Sequence, residues 1–232
     1  MAFGGLLALL IRKPVRWLLP VLVAASVVPV WTKETFVIGE RTLRLMEKRY
    51  GGEARARLLA WQNLVRGVEG DERYKLERVN RFFNTMAFVD DEVHWKKADY
   101  WATPIEFLAS AGGDCEDFAI AKYFTLIKLG IEEERLTLTY VKALRLNKAH
   151  MVLTYTAIPG AEPMVLDNLV DAIRPSSQRT DLLPVYSLNG SGLWLAKQRG
   201  KGKMIGGSER LERWRDLLDR MTNEMEQDEE AL

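Results

Sequence analysis

At 232 residues, of which 47% are hydrophobic, the chain is long enough for one domain with a sizeable core and short appendages. Its 33 basic and 32 acidic side chains nearly cancel, so no overall basic field favours nucleic acid. We therefore expect no nucleic-acid partner, and any recognition must come from a specific site.

The N-terminal segment has the order of a secretory signal peptide. Basic residues precede an apolar run over residues 17–28, and small residues in that run offer a cleavage site. The run is shorter than the roughly 20 residues that a membrane-spanning helix needs, and Pro20 interrupts it. We expect residues 1–25 to be removed on export, with an uncleaved membrane anchor as the alternative.

Apolar residues then recur at helical spacing from residue 43 to about residue 88, with a break at residues 67–70. This pattern predicts a helical N-terminal part over residues 26–90. Further along, Thr103 followed by Pro104 is typical of a helix start.

The clearest helix in the sequence is predicted over residues 114–129. Asp114 can cap its first turn, and Gly130 can end it. From residue 118 onward the helix is apolar on nearly every side, so it should be buried.

Alternating apolar and polar residues after this helix predict strands at 135–141, 149–156, 164–166 and 182–187. Pro159 and Gly160 mark a hairpin turn between the second and third of these strands. The fold class is therefore α+β, with a buried central helix packed on an antiparallel sheet and a helical N-terminal part. We assign residues 91–195 to the core, and 196–232 to a linker, an amphipathic helix and an acidic tail.

Cys115 is the only cysteine, so the chain cannot form an internal disulfide. An unpaired cysteine in an exported protein indicates intermolecular pairing or a reactive thiol, although a small buried core residue is the simpler reading. Cys115 directly follows Gly112, Gly113 and Asp114 at the predicted helix start. Backbone N–H groups at such a position lower a thiol pKa and can stabilise an oxyanion, which favours a nucleophile.

His150 and Asp167 can complete a catalytic triad with Cys115. A hairpin that turns near residues 158–160 brings them close together, and a carboxylate beside an imidazole fixes its tautomer and stabilises its charged form. The other histidine, His94, lies in an irregular Trp-rich stretch, and we expect it to be structural.

The order of these residues is accompanied by longer motifs. They comprise Trp95, DYWATPIEFL at 99–108, GDCEDFAIAKY at 113–123, AHMVL at 149–153, VLDNL at 165–169 and PVYS at 184–187. Together they resemble the bacterial transglutaminase-like cysteine proteinases of the LapG type, over roughly residues 71–195.

The resemblance implies a papain/transglutaminase-like core and a periplasmic location. It implies a protease that cuts the N-terminal region of a large surface adhesin, typically at a dialanine, and so promotes biofilm dispersal. It also implies inhibition through capture by an inner-membrane receptor that senses cyclic di-GMP.

Calcium is expected next to the nucleophile. Asp114, Glu116 and Asp117 surround Cys115 with carboxylates, which disfavour a thiolate, and oxygen ligands suit Ca²⁺. The family places its ion at the carboxylates that flank the catalytic cysteine, here Asp114 and Glu116. The alternative is a well-capped helix, which explains Asp114 and Asp117 but gives Glu116 no role.

Two other functions remain open from the sequence. A transglutaminase-like acyltransferase would use the same Cys115, His150 and Asp167 but deliver the acyl group to an amine. A non-catalytic binding module, tethered by an uncleaved N-terminus, would use the core only as a scaffold.

Overall fold

The structure is a computed structural model that describes residue 1 and residues 36–197 and 200–229. The expected signal peptide, apart from Met1, lies outside the described residues. Residues 1–30 and 31–232 form two separate units, and the fold below belongs to the second. Within the described part of the chain, no helix combines the length and the apolar character that crossing a membrane requires.

Three helices form the N-terminal part: α1 (Glu40–Tyr50), α2 (Gly52–Gly67) and α3 (Glu72–Phe83). The predicted break at residues 67–70 is confirmed, because α2 ends at Gly67 and Asp71 caps α3 by accepting a hydrogen bond from the Tyr74 amide at 2.8 Å. Each helix buries apolar side chains in the core, among them Leu43, Leu58 and Val79.

Short elements connect α3 to the central helix: β1 (Ala87–Phe88), α4 (Asp91–His94), α5 (Pro104–Ser110) and β2 (Gly112–Gly113). The predicted start of α5 is confirmed by a capping box between Thr103 and Glu106. β1 and β2 pair in parallel, and a Cβ atom at Gly112 would lie 2.8 Å from the Ala87 carbonyl oxygen. Only glycine permits this approach, which sets the path of the chain into the central helix.

The central helix, α6 (Cys115–Lys128), is capped by Asp114 and followed by Gly130 in the left-handed region, at φ 82°. Its side chains are buried along nearly its whole length, as the apolar pattern predicts. α6 packs against α3 and α5 and against the strands that follow it.

Those strands form one antiparallel sheet with the order β6-β5-β4-β3-β7-β8-β9. They are β3 (Leu136–Ala143), β4 (Lys148–Tyr155), β5 (Met164–Leu166), β6 (Arg174–Pro175), β7 (Leu182–Asn189), β8 (Gly192–Lys197) and β9 (Gly200–Gly206). The four predicted strands are confirmed as β3, β4, β5 and β7. Because β6 and β7 lie on opposite sides of β3–β5, residues 176–181 between them must pass three strands.

The segment predicted as a linker, from residue 196 onward, instead completes β8 and supplies β9, which extends the sheet. The amphipathic helix is confirmed as α7 (Glu212–Glu229), which begins later than its predicted start at Ser208. Trp214 of α7 is buried against Tyr123 and Phe124 of α6.

The C-terminal end of α7 also holds two earlier parts of the chain. The Asp228 carboxylate accepts hydrogen bonds from the Gly39 and Thr42 amides, at 2.9 and 3.2 Å, and so caps α1 from a distance. The Glu224 carboxylate accepts a hydrogen bond from the Thr103 hydroxyl at 2.6 Å, at the start of α5. α7 is therefore part of the domain's framework rather than an appendage.

Candidate active site

Cys115 occupies the first position of α6, where its side chain is 9% exposed. The thiol donates a hydrogen bond to Glu116 Oε2 at 2.7 Å, and the Met151 amide lies near the sulfur, where it favours the thiolate and lowers the pKa. Burial, and then the negative charges of Glu116 and Asp114, raise the pKa of the Cys115 thiol. This local environment outweighs the effect of the helix N-terminus expected from the sequence, so the thiol is neutral in this arrangement.

His150 precedes Met151 on β4, so the strand that contacts the thiol also carries the candidate base. Its Nε2 lies 2.8 Å from Oδ1 of Asp167, and both side chains are buried. The predicted hairpin is confirmed, because Leu153 pairs with Leu166 and places His150 and Asp167 diagonally across β4 and the end of β5. Since Asp167 engages Nε2, Nδ1 is the ring nitrogen left to exchange a proton with a thiol.

Asp167 is held through both of its carboxylate oxygens. Oδ1 also accepts a hydrogen bond from the Leu169 amide at 3.0 Å, and Oδ2 accepts one from the Arg179 guanidinium at 2.7 Å. Burial alone would raise the pKa of Asp167, but the His150 ring, the Leu169 amide and Arg179 together lower it to about 2. The carboxylate is therefore ionised throughout the physiological range.

Helix α3 holds the backbone around Asp167. The Asn84 amide group donates to the Asp167 carbonyl oxygen at 2.9 Å and to the Asp171 carboxylate at 2.7 Å, while Asn80 donates to the Asp171 carbonyl oxygen at 2.9 Å. Lys122 of α6 is buried in the same region, where burial lowers its pKa to about 7 against the opposing effect of Asp167 and Asp171. The loop after β5 is thus tied to the C-terminal end of α3.

A cluster of carboxylates lies beside the thiol. Oxygens of Asp91, Asp114 and Asp117 lie within 4.8 Å of one another, as do ligand atoms of Asp114, Cys115 and Glu116. Burial and the neighbouring carboxylates raise the pKa of Asp91 to about 6 and that of Asp114 to about 10. Asp91, on α4, was not expected from the sequence.

This cluster fits a hard cation. Oδ1 of Asp91 is buried and has no hydrogen-bond partner among the described residues. Crowded, poorly solvated oxygens of this kind match the ligands that Ca²⁺ takes, and a divalent charge would offset their mutual repulsion. Asp114 belongs to both groups of ligand atoms and so lies at the centre of the candidate metal centre.

Asp117 does not cap α6, contrary to the expectation from its place in the first turn. Asp114 accepts the capping hydrogen bond, from the Glu116 amide at 3.2 Å. Asp117 is fully buried and accepts hydrogen bonds from the Ala102 amide at 2.7 Å and the Trp95 indole at 3.3 Å. Its role is therefore to attach the segment before α5 to the start of α6.

His94, the other histidine, ends α4 and packs edge-on against the Trp95 ring, with 4.6 Å between the ring centroids. This contact agrees with the structural role expected for it. Tyr140 and Tyr186 face each other on the adjacent strands β3 and β7. Tyr140 pairs directly with Met151 of β4, and its ring stacks on that of Tyr186 with 4.9 Å between the ring centroids.

Comparison with known proteins identifies relatives of the chain. The family model described as bacterial transglutaminase-like cysteine proteinase matches residues 59–196. The EGTA-treated structure of LapG from Legionella pneumophila is 43% identical, with a TM-score of 0.70, and the match covers 80% of this chain and 98% of that one. The calcium-bound structure of the same Legionella protein is 42% identical, with a TM-score of 0.67, and covers 78% and 98%. No curated protein sequence gives a match.

Proposed function

Since this chain belongs to the bacterial transglutaminase-like cysteine proteinase family, we propose that it is a calcium-dependent endopeptidase in which Cys115 is the nucleophile, His150 the general base and Asp167 the group that orients it. The observation that supports the triad most is the 2.8 Å hydrogen bond between His150 and Asp167, on the strand whose next amide contacts the Cys115 sulfur. In the proposed triad the base lies within hydrogen-bond distance of its orienting group, as an activated nucleophile requires.

The proposed reaction has two halves. The Cys115 thiol transfers its proton to Nδ1 of His150, and the sulfur attacks the carbonyl carbon of the scissile peptide bond. The carbon–nitrogen bond then breaks as His150 returns the proton to the leaving amine, which leaves a thioester on Cys115. Water, deprotonated by His150, attacks the thioester and releases the acid product with the thiol restored.

Asp167 and the helix start support these steps. The ionised carboxylate stabilises the charged imidazole and fixes the tautomer in which Nε2 carries a proton. Backbone N–H groups at the start of α6 supply donors for the oxyanion that forms on the attacked carbonyl.

Calcium is proposed at Asp114 and Glu116, with Asp91 as a further ligand. The reported calcium-bound form of the Legionella relative supports this proposal, as does the buried, unpartnered oxygen of Asp91. A divalent ion bound there would supply positive charge that offsets the carboxylates around the thiol. Calcium binding by Glu116 would also compete for the carboxylate oxygen that accepts the hydrogen bond from the Cys115 thiol.

The substrate and setting are proposed from the family resemblance. We propose that the protein acts in the periplasm on the N-terminal region of a large repeat adhesin, at a dialanine, and so promotes biofilm dispersal. We further propose that an inner-membrane receptor for cyclic di-GMP inhibits it by capture.

The function is tested with the purified protein and the N-terminal segment of a large adhesin encoded in the same genome. We expect two fragments in calcium, no cleavage in a chelator, and recovery with excess calcium but not magnesium, because Mg²⁺ demands a tighter octahedral site. A Cys115→Ala variant is the control. Cleavage that continues unchanged in chelator would contradict the calcium requirement.

The same assay separates hydrolysis from acyl transfer. With an added primary amine, a protease still yields a free carboxylic acid, whereas a transglutaminase-like acyltransferase yields a product carrying the amine. Mass spectrometry of the new C-terminus distinguishes the two results.

A further inference from the structure

Arg179 is a buried cation that the proposed reaction does not use. Its side chain is 3% exposed, and its guanidinium donates to Oδ2 of Asp167 at 2.7 Å. Asp167 offers its other oxygen to His150, so a single carboxylate joins the two side chains. Arg179 therefore contacts the candidate triad from the side opposite the imidazole.

The position of Arg179 follows from the connection between β6 and β7, which passes three strands of the sheet. Within this connection the Arg179 amide donates to the Ser176 carbonyl oxygen at 3.1 Å, and the Leu182 amide donates to the Arg179 carbonyl oxygen at 3.1 Å. These two turns fix the backbone on both sides of the residue. The side chain is thus delivered to Asp167 by a tightly folded segment.

A second carboxylate fixes the guanidinium itself. The Asp181 carboxylate accepts hydrogen bonds from Nε and Nη2 of Arg179, at 3.0 and 2.9 Å. The Asp181 carbonyl oxygen in turn accepts a hydrogen bond from the Leu144 amide, at the β3–β4 hairpin that leads to His150. The planar guanidinium, held by two nitrogens on one carboxylate, can present a donor to Asp167 in only one direction.

We propose that Arg179 is a positioning residue, which holds the Asp167 carboxylate in the rotamer that gives one oxygen to His150. The inference rests on the proposed catalytic role of Asp167. With Oδ2 bound to Arg179, and Oδ1 shared by His150 and the Leu169 amide, the carboxylate cannot rotate without breaking these bonds. The imidazole therefore meets a fixed acceptor, which fixes the orientation of the ring and of its free nitrogen, Nδ1.

A purely structural ion pair would behave differently. Leu182 packs next to Arg179 against the buried valines Val141, Val152 and Val165, so the connection also covers apolar surface. Loss of that packing would lower the free energy of unfolding but leave the turnover of the folded enzyme unchanged. The test must therefore measure the folded protein's activity apart from its stability.

The test compares Arg179→Met and Arg179→Lys with the wild type, and Arg174→Met serves as the control. Arg174 lies exposed on β6, so its loss changes the net charge equally without touching Asp167. Urea unfolding first establishes that each variant is folded under the assay conditions. The rate of cleavage of the adhesin segment is then measured with excess calcium over a range of substrate concentrations.

We expect Arg179→Met to lower kcat about a hundredfold with little change in KM, since a misplaced catalytic group costs rate rather than substrate binding. Arg179→Lys should recover part of the rate, because an ammonium keeps the charge but not the planar pair of donors. Arg174→Met should match the wild type. A folded Arg179→Met variant with wild-type kcat, or a lysine variant no better than methionine, would overturn the inference.

A second measurement needs no substrate. Because Cys115 is the only cysteine, alkylation by iodoacetamide reports on its thiol alone. The rate in excess calcium should fall in the order wild type, Arg179→Lys, Arg179→Met. Equal alkylation rates in all three proteins would overturn the positioning role, whether or not the wild type cuts the adhesin. A wild type that does not cut the adhesin would count against the proposed function, not against the positioning role. If Arg179→Met does not fold, the lysine variant decides between these outcomes.

Discussion

Replacing Asp117 by alanine tests whether this buried carboxylate attaches the segment before α5 to the central helix. The change removes the acceptor of two hydrogen bonds, from the Ala102 amide and the Trp95 indole. Ala102 is fully buried, so its N–H would be left without a partner. An unsatisfied buried donor costs about 1–3 kcal/mol, and the half-buried indole adds about 1 kcal/mol, which gives a loss of about 2–4 kcal/mol.

A first-turn capping residue would give a smaller loss, about 1 kcal/mol. The free energy of unfolding is measured by urea titration in chelator, so that metal binding does not contribute. Asp117→Asn is the matched variant, because it keeps an oxygen for the Ala102 amide, and it should lose about 1 kcal/mol or less. Asp90→Ala, at an exposed residue that makes no capping bond, should stay within about 0.5 kcal/mol of the wild type. Both variants remove the buried charge and its repulsion with the neighbouring carboxylates, so an Asp117→Ala variant as stable as Asp117→Asn would refute the attachment role.

The remaining predictions concern catalysis, the metal and pH. His150→Ala should abolish cleavage while the unfolding curve stays cooperative, and cleavage above a hundredth of the wild-type rate would contradict its role as base. Asp114→Ala and Glu116→Ala should both weaken calcium binding in calorimetry, and unchanged affinity in either variant would contradict its proposed role as a calcium ligand. Burial raises the pKa of Glu224 from 4.5 to about 7. Protonated Glu224 therefore contributes fully to the free energy of unfolding below pH 4.5, and this contribution is lost as the pH rises through 7. Glu224→Gln keeps an acceptor for Thr103, and it should match the wild type near pH 4.5 but unfold at higher urea near pH 8; equal midpoints at both pH values would contradict this account.

The sequence predicts the core of the site because its signals are local. A glycine pair, a capping Asp114 and an apolar run define the start of α6, and a turn at residues 159–160 fixes the register that brings His150 to Asp167. Each of these signals lies within a few residues of the feature it controls. The resemblance to the family agrees with them.

The contacts that the sequence does not predict are long-range. Arg179 reaches Asp167 only because the β6–β7 connection passes three strands, and Asp91 joins the carboxylate cluster only through the path of the β1–α5 segment. Asp117 lies in the first turn of α6, where capping residues are common. Its hydrogen-bond partners, Ala102 and Trp95, are 15 and 22 residues away, so the residues around Asp117 do not predict them. The sequence does not predict β9, because residues 200–206 are rich in glycine and lysine and lack the alternation of apolar and polar residues that a half-buried strand usually shows.

For helix α7 too, the sequence predicts the element but not its long-range contacts. Its amphipathic pattern predicts a helix, and the buried face formed by Trp214 and Leu217 confirms it. The pattern does not predict that Arg220 binds Glu106 and the Trp101 carbonyl oxygen, which places α7 against the segment that Asp117 also holds. Stability of the site therefore depends on a helix far from it in sequence.

The central claim, that the Cys115 thiol cuts a peptide bond, is tested most directly by the Cys115→Ala variant. The variant is incubated with the adhesin segment in excess calcium beside the wild type, and the products are separated by mass. The account predicts two fragments with the wild type and only intact segment with Cys115→Ala, whose helix α6 loses little packing. Fragments at the wild-type position in the alanine variant would contradict it.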